Sequence, residues 1–380
     1  MSAAERRPGL DLLRAIAIAW VLLYHASLFN LVSQDFWIVR FGWMGVDLFF
    51  VLSGYLIGGQ LLRPRARGAA PNYRRFFMRR ALRTLPAYWA IVALYFLVPE
   101  VRERPNIQPA WQFLTFTQNL TPDFPLPKAF SQAWSLCVEE QFYLGLPLII
   151  ALLALRPTAA KTIGAMLAVL IAGMVLRGAL WLHDVAAQPF DPASYPRADR
   201  YMNFIYYPTW SRLDGLLAGV AAAAVETVRP RWRRFVTIRP NLLLAAGVAG
   251  VGVAIMFFHV MIAGFLPSVF GFPLLAVSMM MIVIAASDGR SFIGSIEIPG
   301  AAALATAAYS LYLTNKLAFH AVQVAARDWP ETMQGLTPAV GLVAALAAGA
   351  MCYWAVERPF LKLRDRLVVV PRGSAARTAA

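Results

Sequence analysis

Cysteine, histidine and charge are all scarce in this chain. Of 380 residues, two are cysteine and four histidine, and only 14% are charged while 59% are hydrophobic. Few soluble domains combine so little charge with a mean hydropathy of +0.57, so the sequence reads as an integral membrane protein. Cys137 is expected near the outer surface and Cys352 inside the last apolar stretch, a separation that argues against a disulfide between them; neither has a metal-ligand spacing. No Gly-rich phosphate loop is present, which argues against a nucleoside triphosphatase. No period of about 20 to 50 residues repeats, and the two halves lack the matching interrupted helices of inverted-repeat transporters.

What the chain does have is apolar stretches of about 20 residues, the length of a membrane crossing. They fall at 9–29, 44–62, 84–99, 139–155, 161–182, 209–226, 241–263, 267–287, 300–325 and 336–358. The expected fold is therefore all-α: a polytopic membrane bundle of about ten transmembrane helices over 1–366, with 367–380 as a disordered cytoplasmic tail. Arg14 inside the first stretch, and no small-residue cleavage site after it, mark that stretch as retained rather than a cleaved signal.

The net charge of +15 is distributed by topology. Of 35 Lys and Arg, 24 lie in the terminal segments and the even-numbered connections, and seven in the odd-numbered ones. The positive-inside rule then puts both termini in the cytoplasm. Such a pattern suits membrane lipids as partners and argues against nucleic acid.

Four stretches carry ionisable groups where apolar residues are expected, and such groups are costly at membrane depth. Asp11, Arg14 and His25 share one face of the first helix, since eleven residues are about three turns. Asp47 opens the second helix at a depth similar to His25, where a carboxylate could orient the imidazole and prepare a general base. The run "NYRRFFMRRALRTLPAYW" in the connection 63–83 presents Arg80 and Arg83 on one helical face, with Arg75 and Arg79 beside them. Guanidinium forks suit phosphate groups. Glu139 and Glu140 stand where the outer stretch 100–138 enters the fourth helix. Adjacent helical residues diverge by about 100°, so one of the two is expected to face inward, and Ser135 can cap that helix.

These stretches together resemble the acyltransferase 3 family of bacterial membrane O-acyltransferases. The likeness runs through "LDLLRAIAIAWVLLYH", "GWMGVDLFFVLSGYLIG", "RRFFMRRALRTLPAYW", "AWSLCVEEQFYL", "TWSRLDGLLAGV", "AAYSLYLTNK" and "VERPFLKLR", nearly the whole chain. The resemblance implies an enzyme of the bacterial inner membrane that moves an acyl group, by default acetyl, from cytoplasmic acyl-CoA to a hydroxyl outside. The acceptor would be a glycan or lipid-linked saccharide, such as lipopolysaccharide or exopolysaccharide, or a small molecule; no metal is implied. It maps a catalytic role onto His25, with Arg14, Asp47 and Glu139, and donor binding onto Arg80 and Arg83, helped by Arg75 and Arg79. Glu140, Arg212 and Asp214 are candidates for holding substrate. One departure stands out: where many members have a second histidine, this chain has Asn315, followed by Lys316, and asparagine cannot exchange a proton near neutral pH.

Two other functions fit parts of the pattern. A proton-coupled sugar or lipid transporter could use His25, Asp47 and Glu139 as a relay, but lacks the internal repeat. A polyprenyl-phosphate glycosyltransferase would be favoured by an Asp-x-Asp metal motif, which does not occur.

Overall fold

The computed structural model describes residues 7–121, 127–154, 159–188, 196–228, 233–234, 236–260 and 263–368. Among them there is no strand, and ten long helices coincide with the ten apolar stretches. They are α1 (Pro8–Leu28), α2 (Met44–Ala66), α3 (Tyr73–Leu97), α4 (Trp134–Ala154), α5 (Ala159–Leu180), α6 (Asp214–Val228), α7 (Pro240–Val260), α8 (Phe272–Ala286), α9 (Ala301–Ala325) and α10 (Thr337–Cys352). A further helix, α11 (Arg358–Val368), follows α10 through a π-helical turn at Tyr353–Glu357 and packs on α3. By length and hydropathy alone, six helices among the described residues can cross a membrane: α1, α2, α5, α7, α8 and the joined α10–α11. The expected tail 367–380 lies outside the described residues except for its first two, which continue α11.

Local chemistry sets several boundaries. Pro8 occupies the first turn of α1, where a missing N–H costs nothing. Asn72 caps α3, its Oδ1 accepting from the Arg75 backbone N–H at 2.9 Å. That cap makes the arginine run the first turns of α3 rather than a connection, and α2 likewise continues to Ala66. The expected connection 63–83 thus shrinks to a few residues. α4 starts at Trp134, so Ser135 is inside it and does not cap it. Its hydroxyl is engaged with the Gln132 carbonyl at 3.3 Å and the Tyr312 hydroxyl at 2.7 Å.

The bundle has an inner and an outer set of helices. α1, α2 and α8 bury most of their apolar windows, while α5, α7 and α10–α11 leave most of theirs open. An apolar helix left open on this scale faces lipid. Small residues bring the inner helices together, as they do in membrane bundles generally. At Gly54 of α2 a Cβ would collide with the Leu216 carbonyl oxygen of α6, and at Gly219 of α6 with the Val51 carbonyl oxygen of α2. A Cβ on Gly45 would come within 2.6 Å of the Ala17 carbonyl oxygen of α1. α1 is held between α2 and α9, and this brings its last turn against the middle of α9.

Candidate active site

His25 sits in the last turn of α1 and is 6% exposed. Its Nδ1 lies 2.7 Å from Oδ1 of Asn315 on α9, 290 residues away in sequence. The Asn315 amide folds back on its own helix, Nδ2 donating to the carbonyls of Leu311 and Tyr312, each at 2.8 Å. The imidazole is thus oriented by an amide, not by the carboxylate expected at Asp47 or Glu139. Both of those are bound to arginines instead, because α9 rather than α2 or α4 supplies the group that reaches Nδ1.

His25 opens onto a cavity of about 330 Å³. Tyr24, Trp43, Trp134, Tyr206, Tyr207 and Tyr312 give it aromatic walls, and Glu103, Arg104, Lys128, Asp199 and Lys316 put charges on its lining. Trp134 packs between Tyr206, with ring centroids 4.8 Å apart, and Tyr207, at 5.7 Å. Lys316 Nζ donates to Ser131 Oγ at 2.7 Å, and Lys128 lies 4.7 Å from the Tyr207 ring centroid. Burial pushes the Lys128 ammonium, in the segment before α4, down to about 8. The described parts of the segment between α3 and α4, 100–121 and 127–133, contribute Glu103, Arg104, Lys128 and Ser131 to this lining. Phe130, at φ 51°, donates its N–H to Glu103 Oε1 at 2.9 Å and stacks on Tyr95 with centroids 4.6 Å apart.

The two glutamates of α4 converge on one cation. Arg80 Nη2 is 3.1 Å from Glu139 Oε2, and its Nε is 3.1 Å from Glu140 Oε1. Ser53 and Tyr143 hydroxyls also donate to Glu139, at 2.8 and 3.0 Å, and the guanidinium lies 3.9 Å from the Tyr143 ring centroid. Adjacent carboxylates diverge, but one long arginine approaching between them satisfies both, so both face the interior. Arg80 is therefore committed to carboxylates. Its expected partnership with Arg83 as a phosphate fork is not what its donors are used for here.

Arg83 makes no hydrogen bond or ion pair among the described residues. It lies within electrostatic reach of Arg14, and of Glu357 and Arg364. Arg14 holds Asp11 at 3.3 Å, one turn away on the same face of α1 as His25. Arg79 is exposed and Arg75 half-buried on the first turns of α3.

Arg212 and Asp214 are both buried and both paired: Arg212 Nη2 is 2.6 Å from Asp47 Oδ1, and Asp214 is 2.7 Å from Arg177. Arg177, 1% exposed, escaped the reading of the sequence, although an arginine inside the apolar stretch 161–182 was a signal. Glu357, whose Oε2 accepts from Ser310 at 2.6 Å, was not singled out although it lies in "VERPFLKLR" and in the apolar stretch 336–358; the cavity residues Glu103 and Ser131 were also missed, and nothing in their local pattern marks them. The other histidines lie elsewhere. His183 is exposed beside Asp184, His259 packs against Phe41 and His320 against Phe29. Among the described residues no cluster of three His, Cys, Asp or Glu could hold a metal ion, and both cysteines are free and buried.

The chain is 31% identical over 233 residues to the peptidoglycan O-acetyltransferase OatA of Listeria monocytogenes, covering 57% of this chain and 34% of the relative. It is 30% identical over 233 residues to the putative peptidoglycan O-acetyltransferase YrhL of Bacillus subtilis, covering 57% and 33%. A putative O-acetyltransferase of Staphylococcus aureus is 33% identical over 164 residues, 39% of this chain and 25% of that one. The chain thus matches about a third or less of the length of these relatives. No solved structure matches. The model of the acyltransferase domain family matches residues 7–356, from the arginine before α1 to the turn after α10, and the chain belongs to that acyltransferase family.

Proposed function

We propose that this protein is a membrane O-acyltransferase, taking an acyl group, by default acetyl, from cytoplasmic acyl-CoA and delivering it to a hydroxyl of a cell-envelope glycan. The observation that carries this reading is a single buried histidine, His25, oriented through Nδ1 and opening onto a cavity with aromatic walls. Aromatic faces offer large apolar contact area for the C–H faces of sugar rings, and the polar groups between them can orient hydroxyls. The peptidoglycan O-acetyltransferases among the relatives favour a cell-wall glycan as acceptor.

In this reading the ten helices cross the inner membrane with both termini in the cytoplasm, and the cavity faces outward. Arg83 and Arg14, with Arg75 and Arg79 at the cytoplasmic mouth, receive the phosphates of the donor. Arg80 fixes Glu139 and Glu140 between the donor entrance and the cavity. His25 either takes the proton of the acceptor hydroxyl or carries the acyl group between donor and acceptor.

The test is coenzyme A release by purified protein supplied with acetyl-CoA and a soluble peptidoglycan fragment. Wild type should release it in proportion to acylated product, and His25→Ala should abolish release while remaining folded in detergent. Full activity of His25→Ala would refute the assignment, and proton-coupled uptake without acetyl-CoA consumption would make the protein a transporter.

A further inference from the structure

The His25–Asn315 contact specifies more than an orientation. A neutral imidazole carries one proton, and the nitrogen that holds it is decided by what the other group offers. The oxygen and nitrogen of an amide are told apart by their partners, and at Asn315 those partners leave one choice. Nδ2 must face the Leu311 and Tyr312 carbonyls, because reversing the amide would set Oδ1 against two carbonyl oxygens. The atom facing His25 is then Oδ1, which only accepts, so the nitrogen 2.7 Å away has to be a donor.

We infer that Asn315 is a positioning residue that fixes His25 as the Nδ1–H tautomer, leaving the Nε2 lone pair as the reacting electron pair. Asn315 is fully buried and bonded to its own helix, so the acceptor it presents is rigid. His25 has no other hydrogen bond among the described residues. This inference rests on the acyltransferase reading for its consequence, though not for its geometry.

In that reaction the acceptor O–H bond breaks and its proton goes to Nε2, while the oxygen forms the new ester bond at the thioester carbonyl. The carbon–sulfur bond breaks, and the proton on Nε2 passes to the departing thiolate, giving ester and free thiol. If the acyl group is carried by histidine, Nε2 bonds to the acyl carbon as the carbon–sulfur bond breaks and the thiolate leaves; the acceptor oxygen then displaces Nε2 from that carbon, and the hydroxyl proton passes to the thiolate, giving the same ester and free thiol. In either case Nδ1 keeps its proton throughout and Asn315 Oδ1 accepts from it more strongly when the ring is charged. The asparagine that replaces a second histidine therefore has a task that asparagine performs better: a neutral histidine presents no carbonyl-type acceptor anchored by two donors of its own.

The inference is tested on the full chain in two ways. Solid-state ¹⁵N NMR of histidine-labelled protein, with the His25 signals identified by their loss in His25→Gln, should show Nδ1 protonated and Nε2 bare. A protonated Nε2 in the neutral ring would overturn the proposal whatever the enzyme's activity. Asn315→Leu should lower kcat by about 10- to 100-fold, as loss of an orienting partner behind a reactive histidine does, with the donor KM nearly unchanged. Asn315→Asp, which keeps an acceptor at Nδ1, should recover part of that loss. Wild-type kcat in a folded Asn315→Leu protein would overturn the proposal, and if that variant does not fold, the wild-type NMR reading still decides it. If His25→Ala were active while NMR found the Nδ1–H form, the tautomer assignment would stand and the catalytic reading of His25 would fall.

Discussion

Arg212 and Asp47 meet 2.6 Å apart with 1% and 8% of their side chains exposed, joining α2 to the segment just before α6. The guanidinium is also faced by aromatic rings, with Phe272 and Tyr206 centroids 4.3 and 4.5 Å away. A charge so enclosed depends on its partner, since removing one member of a buried pair strands the other in a medium of low dielectric.

Asp47→Ala should therefore cost about 3–5 kcal/mol, read as a large fall in melting temperature in detergent and in the amount of protein recovered from membranes. Arg212→Lys should also be damaging, because a point charge cannot reproduce the fork and its stacking. A melting temperature unchanged in both variants would show that the pair is not needed for the fold.

Arg80 and Arg83, three residues apart on α3, should separate in their effects. Arg80→Ala leaves Glu139 and Glu140 facing each other without a cation and should lower thermal stability as well as activity. Arg83→Ala should leave stability near wild type and raise the acetyl-CoA KM by about 10- to 100-fold, the loss of a charge-assisted contact to phosphate. Equal loss of stability in both would remove the distinction.

Gly54→Ala should disrupt the crossing of α2 and α6, because the new methyl meets the backbone at Leu216, which cannot rotate away. The expected cost is about 1–3 kcal/mol, measured as a shift in thermal unfolding. Gly145→Ala, whose Cβ would meet nothing within 4 Å, is the matched control and should be close to neutral.

The turn after α8 gives a pH-dependent contribution outside the membrane. Hydrogen bonds from Arg290, at 2.6 Å from Nη2 and 3.0 Å from Nε, hold the Asp288 carboxyl below the usual carboxylate range. A depressed folded value means the contribution is present above the unfolded value of about 4 and is lost as pH falls below it. Asp288→Asn should thus lower stability at neutral pH and flatten its acid dependence in that window. Parallel curves for wild type and variant would contradict the assignment.

The helices were legible because an apolar run of about 20 residues is a local feature of the sequence, and six of them among the described residues are long and apolar enough to cross a membrane. Helix ends were read less well. By hydropathy the arginine run 73–83 falls in a connection, with Arg80 and Arg83 on one helical face, and the Asn72 cap shows that it is continuous with the apolar helix that follows. The site divides in the same way. His25, Arg14, Asp47 and Arg212 announce themselves as polar groups in apolar runs, but which groups they pair with is not written there. Asp47 lies 165 residues from Arg212 and His25 lies 290 from Asn315, separations at which no periodicity carries information. Glu139 and Glu140 were judged by the divergence of neighbours on a helix, which holds for their Cβ atoms and not for a guanidinium that approaches between them.

The π-helical turn at Tyr353–Glu357 holds one residue more than an α-helical turn would and joins α10 to α11. An α-helix advances by about 100° and 1.5 Å per residue, so a residue added or lost within it turns everything beyond by that amount, whereas a π-helical turn takes the extra residue into itself. Deleting any single residue from that turn would regularise the helix and leave Arg358–Val368 facing α3. A three-nucleotide, in-frame loss there would thus keep the basic helix in place, whereas the same loss within α10 or the first turn of α11 would swing the residues beyond it by about 100°.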